Sequence, residues 1–368
     1  MNSLTVVGPL PPPLSGTPVS FAVFCEEVQR LSSLEKLYVV DSSPKYLKQS
    51  RYVKFSARNI LQAGSIVFKY LRVIGKSKRV LVFGSAGYVV SMAPVLLLLA
   101  KLFRRPFFFR SFGGVLDDYI RNLNPFFFGL AKWCLRNCDG VIVETELLMR
   151  ELKSLLGTEN VYYVPGYRSM PELTVRSGRT KSGLKLAFVG IVKREKGVFD
   201  LLAALDICQL RSRVDVSCTF YGSIHEPDKE NFNQKISEVS SAEYGGELDW
   251  QDVISTLGEY DALVLPTFYE GEGHPGVLIE AMMAGIAIIA TDFRSIPEIV
   301  KSEYNGLLFQ AREPGALADV ITRIYSNPDL LRELAANNRN EAEKYKADLL
   351  VSKILEIAFN ESGQDLKR

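Results

Sequence analysis

Histidine and cysteine are both scarce in this chain. There are two histidines, His225 and His274, among 368 residues, which leaves little from which to build a hydrolase triad. The five cysteines are odd in number and scattered, so we expect small buried thiols in a reducing compartment rather than a disulfide framework. Cys134 and Cys138 are spaced to share a helix face, but no second pair accompanies them, and no metal site is predicted there.

A charge excess and long apolar runs are missing too. The formal net charge is +2, which argues against nucleic acid as a partner. The most apolar segment, residues 89–100, is interrupted by Pro94 and followed by Lys101, and it is shorter than the ~20 residues that a membrane-spanning helix needs. The N-terminal segment lacks the charged start and apolar core of a signal peptide. We therefore expect a cytoplasmic protein.

What the sequence does contain is an alternation of short apolar runs and helix-like segments. This alternation is typical of an α/β fold with parallel sheets and helices on both faces. A length of 368 residues and a hydrophobic content of 47% are enough for two domains with real cores. Strands are predicted at residues 4–7, 36–40, 80–83, 107–110, 140–143, 185–189, 216–221, 262–266, 286–290 and 306–309, and residues 162–164 precede a Pro-Gly pair.

A polar stretch at residues 168–182 divides this alternation into two halves. It has no clear hydrophobic period, so we predict a linker there. The predicted domains are residues 1–168 and residues 183–345, and we expect a cleft between them. The last helix is predicted from Pro328 to about Phe359, which is long enough to return to the first domain.

Residues 270–300 carry the strongest functional signal. Glu272 and Glu280 stand eight positions apart around a turn that contains Gly273, Pro275 and Gly276. Such a turn lets backbone N–H groups converge on one point, and the helix predicted over residues 277–284 adds a partial positive charge there. This arrangement suits a diphosphate.

The two carboxylates of this segment are expected to bind sugars. A carboxylate repels phosphate, so Glu280, in the first turns of the helix, is expected to accept hydrogen bonds from hydroxyls such as those of a ribose. Glu272 lies before the turn and can accept hydrogen bonds from a second sugar. Alternatively, both are solvated surface acids beside an ordinary glycine-containing loop.

The same segment resembles the signature of the retaining family 4 glycosyltransferases, which have the GT-B fold. Glu272 and Glu280 match the two glutamates of the family's E-x7-E motif. The A-M-x-x-G, P-E-I-V and N-G-x-L elements that follow are matched by Ala281, Met282 and Gly285, by residues 297–300 and by residues 305–308. The E-G-E-G-x-P-G variant resembles a subgroup of bacterial polysaccharide synthesis.

The resemblance implies two Rossmann-like domains that face each other across a cleft. Residues 183–345 would bind a nucleotide-diphosphate sugar, and residues 1–168, with the C-terminal helix at about 346–368 packed back on them, would lie on the acceptor side. The implied reaction moves the sugar, with retained configuration, to a glycan or lipid-linked acceptor in bacterial polysaccharide, O-antigen or capsule biosynthesis. No cofactor and no metal ion are implied.

The resemblance also indicates catalytic and donor-binding residues. Lys196 matches the lysine of the family's G-R-x-x-x-x-K-G element, and we expect Lys196 and Glu272 to be catalytic. Ile191 replaces the arginine of that element, so Lys193, Arg194 or Arg294 could supply the missing cation, although the first two could also be solvated loop charges. The residues expected at the donor are Gly190, Lys193, Arg194, Gly273, His274, Pro275, Gly276, Val277, Glu280 and Arg294.

Two loops of the first domain are expected near the phosphates and the acceptor. Gly16 stands where the family has a glycine-rich loop, although a plain turn is an alternative. Phe112 replaces a histidine that contacts the donor sugar in many relatives, and Gly113 and Gly114 could still line the site through their backbones. Asp117, in an acidic pair without the D-x-D spacing of a metal site, is predicted to cap a helix.

Two segments mix apolar residues with cations. Residues 89–109 include Lys101, Arg104 and Arg105, and residues 125–136 include three phenylalanines, Trp133 and two cations. Such segments suit an anionic bilayer. Peripheral contact with the inner face of the plasma membrane, where a lipid-linked glycan would be reached, is therefore a hypothesis. Alternatively, these segments are core helices and a buried strand.

Two other functions remain open at this point. Ile191 and Phe112 favour a non-catalytic scaffold that binds a nucleotide sugar without transferring it. A nucleotide-sugar epimerase or a dinucleotide oxidoreductase could use similar layers. No G-x-G-x-x-G follows the first predicted strand, which argues against the oxidoreductase. An epimerase would have to use carboxylates as its acid and base.

Overall fold

A computed structural model describes residues 2–11, 16–31, 34–43, 57–170, 183–212 and 214–359. The chain divides into two compact units. Unit 1 comprises Met1–Pro165 with Ala347–Arg368, and unit 2 comprises Gly166–Lys346. Most of the predicted linker, residues 171–182, lies outside the described residues.

The sheet of unit 1 is built from short apolar strands. They are β1 (Ser3–Gly8), β2 (Lys36–Asp41), β3 (Arg79–Gly84), β4 (Phe107–Ser111), β5 (Gly140–Val143) and β6 (Val161–Tyr163). Their order across the sheet is β2-β1-β3-β4-β5-β6. Every neighbouring pair is parallel, which requires a crossover connection between successive strands.

Helices supply these crossovers. They are α1 (Gly16–Arg30), α2 (Ala57–Ile74), α3 (Met92–Leu102), α4 (Leu116–Arg121), α5 (Pro125–Arg136) and α6 (Glu146–Leu156). Strand residues alternate between the two faces. Val80 and Val82 pack into a core with residues of α2, α3 and α5, whereas the Phe83 ring lies 5.0 Å from Phe21 and 4.9 Å from Phe24 of α1.

The sheet of unit 2 follows the same plan. Its strands are β7 (Leu184–Val189), β8 (Val216–Tyr221), β9 (Ala242–Gly246), β10 (Ala262–Leu265), β11 (Ala287–Thr291) and β12 (Leu307–Phe309). Their order is β12-β11-β10-β7-β8-β9, and all pairs are parallel. The strands β7 and β10 are therefore neighbours at the middle of the sheet.

The helices of unit 2 cover both faces of its sheet. They are α7 (Val198–Ile207), α8 (Lys229–Glu238), α9 (Val253–Leu257), α10 (Gly276–Ala284), α11 (Ile296–Ile299), α12 (Pro314–Ser326) and α13 (Pro328–Ala342). Leu186 and Phe188 of β7 belong to the core on one face, with α7 and α12. Ala187, between them, belongs to the core on the other face, with α9 and α10. Two cores on one parallel sheet confirm the predicted α/β class.

The predicted last helix is wrong in one respect, because it is interrupted. α13 ends at Ala342, a short 3-10 turn follows at Glu343–Tyr345, and a separate helix α14 (Ala347–Phe359) belongs to unit 1. The backbone N–H of Arg168 donates to Tyr345 O at 3.1 Å, and Arg168 forms a β-bridge with Lys346. This pairing requires extended chain at Lys346, so the helix cannot continue through it.

α14 packs within unit 1. It contacts α1 and strands β3 and β5. The Arg79 guanidinium of β3 lies 5.3 Å from the Phe359 ring and donates to Phe359 O at 3.3 Å. Across the described ranges, no helix is both long and apolar enough to cross a membrane.

Candidate active site

Two loops at the carboxyl ends of β7 and β10 are fastened to each other. The Phe268 N–H, after β10, donates to Glu195 O, after β7, at 2.8 Å. Gly197 has φ +74°, and a Cβ added there would lie 2.0 Å from Pro266 O. Only glycine allows this approach without strain. The two loops therefore form one surface at the edge of the sheet where α/β proteins bind ligands.

Lys196 and Glu272 meet on this surface. The Lys196 ammonium lies 2.5 Å from Glu272 Oε2, and the two side chains are 16% and 8% exposed. The Thr267 hydroxyl donates to the same carboxylate oxygen at 2.8 Å, and the Thr291 hydroxyl donates to Thr267 O at 2.7 Å. The two residues predicted to be catalytic are thus brought together and held by a chain of hydrogen bonds from β11.

The helix after this pair begins one residue earlier than predicted, at Gly276 rather than Val277. Pro275 precedes it in an extended conformation, and its first turn carries no acidic residue. The Ser295 hydroxyl donates to Gly273 O and so anchors the turn. The first backbone N–H groups of an α-helix have no partner within the helix, so this end of α10 presents donors and a partial positive charge.

His274 lies within this turn but is buried. The residue is 9% exposed, and its ring lies 5.5 Å from the ring of Tyr345. The other histidine, His225, binds Asp228 Oδ2 through Nδ1 at 2.9 Å. Both histidines therefore have structural neighbours in unit 2.

Glu280 has a partner that the sequence did not indicate. Its Oε1 accepts a hydrogen bond from Arg168 Nε at 2.6 Å, and both residues are buried. The Arg168 guanidinium also donates to Tyr167 O at 2.9 Å. A Cβ added to Gly276 would lie 1.7 Å from Arg168 Nη2, so the guanidinium lies against the first residue of α10. The sequence places Arg168 at the start of a polar linker, and no motif marks it as part of a site.

The three candidates for the missing cation have different environments. Lys193 is 7% exposed, and its ammonium lies 3.4 Å from the centre of the Tyr269 ring. Arg194 is exposed and stacks on Phe199 at 4.8 Å.

Arg294, the third candidate, forms an ion pair with the exposed Glu270 at 3.0 Å. Its φ is +49°. This left-handed conformation favours glycine.

The predicted residues of unit 1 are placed within their own unit. Gly16 is the first residue of α1 rather than part of a loop, and residues 12–15 before it lie outside the described residues. Phe112 is buried, with its ring 5.8 Å from Phe83. Gly113 has φ +86° and donates its N–H to Glu144 Oε2 at 3.4 Å. Like Gly113, Gly114 remains a predicted site residue.

The prediction that Asp117 caps a helix is wrong. Val115 occupies the N-cap of α4, and the acidic pair lies in the first turn. There the carboxylates favour the positive end of the helix dipole without capping it. Among the described residues, no group of three or more His, Cys, Asp or Glu side chains is arranged to hold a metal ion.

Comparisons with known proteins show which families and structures this chain resembles. Residues 170–341, just under half of the chain, match the family described as "Glycosyl transferases group 1". An uncharacterized glycosyltransferase of Methanocaldococcus jannaschii is 26% identical over 226 residues, which is 61% of each chain. The putative teichuronic acid biosynthesis glycosyltransferase TuaC of Bacillus subtilis is 27% identical over 230 residues, which covers 60% of this chain and 55% of TuaC. The chain thus spans about three fifths of these two relatives.

A solved structure resembles the whole fold. HepE of Anabaena, in a crystal structure with UDP, is 14% identical, with a TM-score of 0.72 over 97% of this chain and 99% of HepE. Similarity over nearly the full length of both chains confirms the predicted GT-B fold. The family match confirms the resemblance that Glu272, Glu280 and the motifs after them carry.

Proposed function

Since residues 170–341 match the glycosyl transferases group 1 family, we propose that the protein transfers a sugar from a nucleotide-diphosphate sugar to an acceptor hydroxyl. The observation that carries this proposal is the Lys196–Glu272 pair, 2.5 Å apart at the carboxyl ends of β7 and β10. A cation, a carboxylate and the N-terminus of α10 are then supplied by two adjacent loops. This combination fits a ligand with both phosphates and hydroxyls.

Each part of the donor is assigned to a different group. The Lys196 ammonium and the first N–H groups of α10 bind the diphosphate, where negative charge grows as the sugar leaves. Glu272 accepts hydrogen bonds from sugar hydroxyls while Thr267 and Lys196 hold its carboxylate. Glu280 accepts hydrogen bonds from the ribose.

Transfer proceeds with retained configuration in this proposal. The bond between the anomeric carbon and the diphosphate oxygen breaks through an oxocarbenium-like state. The acceptor oxygen bonds to the same face of the anomeric carbon, and its proton passes to the departing phosphate. No base from the protein is required. No metal ion takes part.

The donor is tested by incubating the full chain with UDP-glucose, UDP-N-acetylglucosamine and GDP-mannose. The two UDP sugars are included because HepE was crystallised with UDP. Release of free nucleoside diphosphate with incorporation of the sugar into an acceptor supports transfer, and the anomeric proton coupling of the product tests retention. Transfer that persists in excess EDTA supports a metal-independent reaction.

The same incubation separates the rival functions. Binding of the nucleotide sugar without release of nucleotide would indicate a scaffold. An isomerised nucleotide sugar would indicate an epimerase. Either result, in the presence of a suitable acceptor, would contradict the proposed transfer.

An exposed apolar face of unit 1 favours a lipid-linked acceptor. Three helices that pack side by side, α2, α3 and α5, each present apolar side chains to solvent. Those with the largest exposure are Ile60, Leu61, Phe68, Leu98, Leu102 and Phe126. Lys101 and Arg104, at the end of α3, are exposed beside Leu102, which is itself 74% exposed. Apolar side chains flanked by cations suit the surface of an anionic bilayer.

We therefore propose that this face rests on the inner surface of the plasma membrane and that the acceptor is a lipid-linked glycan of bacterial polysaccharide synthesis. The name of TuaC, which refers to teichuronic acid biosynthesis, agrees with this context. Flotation with vesicles that contain phosphatidylglycerol should carry the protein upward. Vesicles of neutral lipid should carry less.

Variants of the apolar face give the control. The substitution Leu102→Asp should reduce flotation, whereas Leu210→Asp, at an equally exposed leucine of unit 2, should not. Equal flotation of both variants, or no flotation of the native chain at low salt, would contradict membrane contact but would leave sugar transfer unaffected.

A further inference from the structure

We propose that Lys193, held on the face of the Tyr269 ring, is the second cation that binds the donor diphosphate. It would take the place of the arginine that Ile191 replaces. Tyr269 would act as a positioning residue for Lys193 and Lys196. This inference rests on the proposed function, because it assigns a ligand group to the same site.

The backbone after β7 turns Lys193 to the same side of the chain as Ile191. Val192 is pinned on both sides, since its N–H donates to Ser223 O and its carbonyl accepts from the N–H of His225, both at 2.9 Å. Extended chain turns successive side chains to opposite sides, so Ile191 and Lys193 lie on the side opposite Val192. Val192 is fully buried in the core, whereas Ile191 is 44% exposed.

Lys193 also has an extended backbone, with φ −149° and ψ 160°. Its side chain is buried although a lysine ammonium is strongly hydrated. Burial of such a group is costly unless the site stabilises positive charge. The ring of Tyr269, 3.4 Å from the ammonium, does so through its negative face.

Tyr269 is fixed for this role by its own loop. Its backbone N–H donates to the Thr267 hydroxyl at 3.2 Å, and its carbonyl accepts from the Glu272 N–H at 2.9 Å. A Cβ added to Gly271 would lie 2.6 Å from the tyrosine ring. Glycine at position 271 therefore lets the ring lie flat across the loop.

A second ammonium faces the same ring. Lys196 Nζ lies 5.4 Å from the ring centre, within the ~6 Å range of a cation–π contact. The positive charge of Lys196 is already shared with Glu272, at 2.5 Å. A second ammonium near the same ring therefore adds positive charge for a diphosphate, and each lysine can donate to a different phosphate oxygen.

The other two candidates are directed elsewhere. Arg194 stacks on Phe199, and its backbone N–H donates to Asp228. Arg294 reaches out to the exposed Glu270. The geometry therefore distinguishes Lys193 from two cations that the sequence alone treats as equal.

Titration calorimetry of the full chain with UDP and with inorganic pyrophosphate tests the assignment. The substitution Lys193→Gln should weaken both affinities by about 10- to 100-fold, the value of a charge-assisted hydrogen bond. Uridine, which lacks phosphates, should bind Lys193→Gln as it binds the native chain. The matched control is Arg312→Gln, since Arg312 stacks at 4.4 Å on Phe268, the residue next to Tyr269, and it should bind all three ligands normally.

Two variants test the positioning role of the ring. Tyr269→Phe keeps a π face and should retain the affinity for pyrophosphate, whereas Tyr269→Leu should lose about 5- to 30-fold, as expected for a cation–π contact whose cation is buried. Native affinity in Lys193→Gln, an equal loss of uridine binding, a larger loss in Arg194→Gln or Arg294→Gln, or no binding of pyrophosphate and UDP by the native chain would each overturn the proposal. Sugar transfer that survives Lys193→Gln unchanged would overturn it without affecting the proposed function.

Discussion

Arg168 and Glu280 form a buried ion pair against the first residue of α10, with Nε and Oε1 2.6 Å apart. Breaking a buried pair by removing one partner leaves an unpaired buried charge, which costs about 3–5 kcal/mol. Arg168→Gln and Glu280→Gln should each lower the free energy of unfolding of unit 2 by about this amount. The double variant should lose less than the sum of the two.

Urea denaturation of the full chain, followed by a probe in unit 2, measures these changes. The control is Glu303→Gln, which removes the partner of Arg323 in a pair of 2.6 Å whose side chains are both about half exposed. Exposed pairs contribute about 0–1 kcal/mol. If the free energy of unfolding fell equally for the buried and the exposed pair, burial would not strengthen the Arg168–Glu280 pair.

Removing either member of the Lys196–Glu272 pair should abolish most of the transfer activity. Lys196→Ala removes the cation at the leaving group, and we expect a decrease in kcat of about 100- to 1,000-fold, as for other preorganised electrostatic contacts. Glu272→Ala should also lower the rate of transfer, because it removes the carboxylate that accepts hydrogen bonds from the sugar hydroxyls. Steady-state release of nucleoside diphosphate gives both values.

Circular dichroism should give native spectra for both variants. Lys229→Ala, at an exposed lysine that pairs with Glu226, should leave kcat unchanged. If Lys196→Ala transferred sugar at the native rate, the assigned role of this lysine would be wrong.

Gly197 should be intolerant of any side chain. Gly197→Ala combines a positive φ with a Cβ that would lie 2.0 Å from Pro266 O, so the two site loops must separate. We expect a lower melting temperature and weaker nucleotide binding. Gly157→Ala is the matched control, because Gly157 has φ +64° and open space around its Cβ position. It should lose only about 1 kcal/mol from the backbone conformation and should bind nucleotide normally.

The cysteines should be unreactive while the chain is folded. All five are free and buried, and burial raises the pKa of the Cys25 thiol from its ordinary value of 9.0 to about 12. The thiolate is the reactive form, so a disulfide-exchange reagent at pH 8 should modify the native chain slowly. It should modify all five thiols at once in guanidinium. Rapid modification of Cys25 in the native state would contradict its burial.

The raised pKa also has a consequence for stability. Between pH 9.0 and about pH 12 the Cys25 thiol loses its proton in the unfolded chain but keeps it in the folded chain. The unfolded state then binds fewer protons, so the free energy of unfolding falls as the pH rises through this range. Cys25→Ser should reduce the slope of this alkaline loss, which denaturation at pH 8 and pH 10 would measure.

The strands that were predicted correctly are short runs of mostly apolar, buried residues. Strands such as β8, at Val216–Tyr221, and β5, at Gly140–Val143, have the predicted bounds. A strand that was missed, β9, reads Ala-Glu-Tyr-Gly-Gly, lies at the sheet edge and is largely exposed. An edge strand needs no apolar run, because it pairs with only one neighbouring strand and few of its side chains enter the core.

The site was predictable where a motif spans neighbouring residues, and unpredictable where residues distant in sequence meet. Lys196 and Glu272 each lie in a motif, so their roles could be proposed before their contact was known. Arg168 and Tyr269 matter through contacts with Glu280 and Lys193. Nothing in the local sequence encodes those contacts, and the same is true of the break between α13 and α14.

α14 completes unit 1 although it is the last described helix of the chain, whereas unit 2 is one continuous stretch from Gly166 to Lys346. A ribosome that makes this protein therefore finishes every residue of unit 2 before it supplies the helix that covers β3 and β5. Until α14 is made, the surface of β3 and β5 that it covers is exposed in the nascent N-terminal sheet. Exposed apolar surface of this kind is what chaperones bind during synthesis.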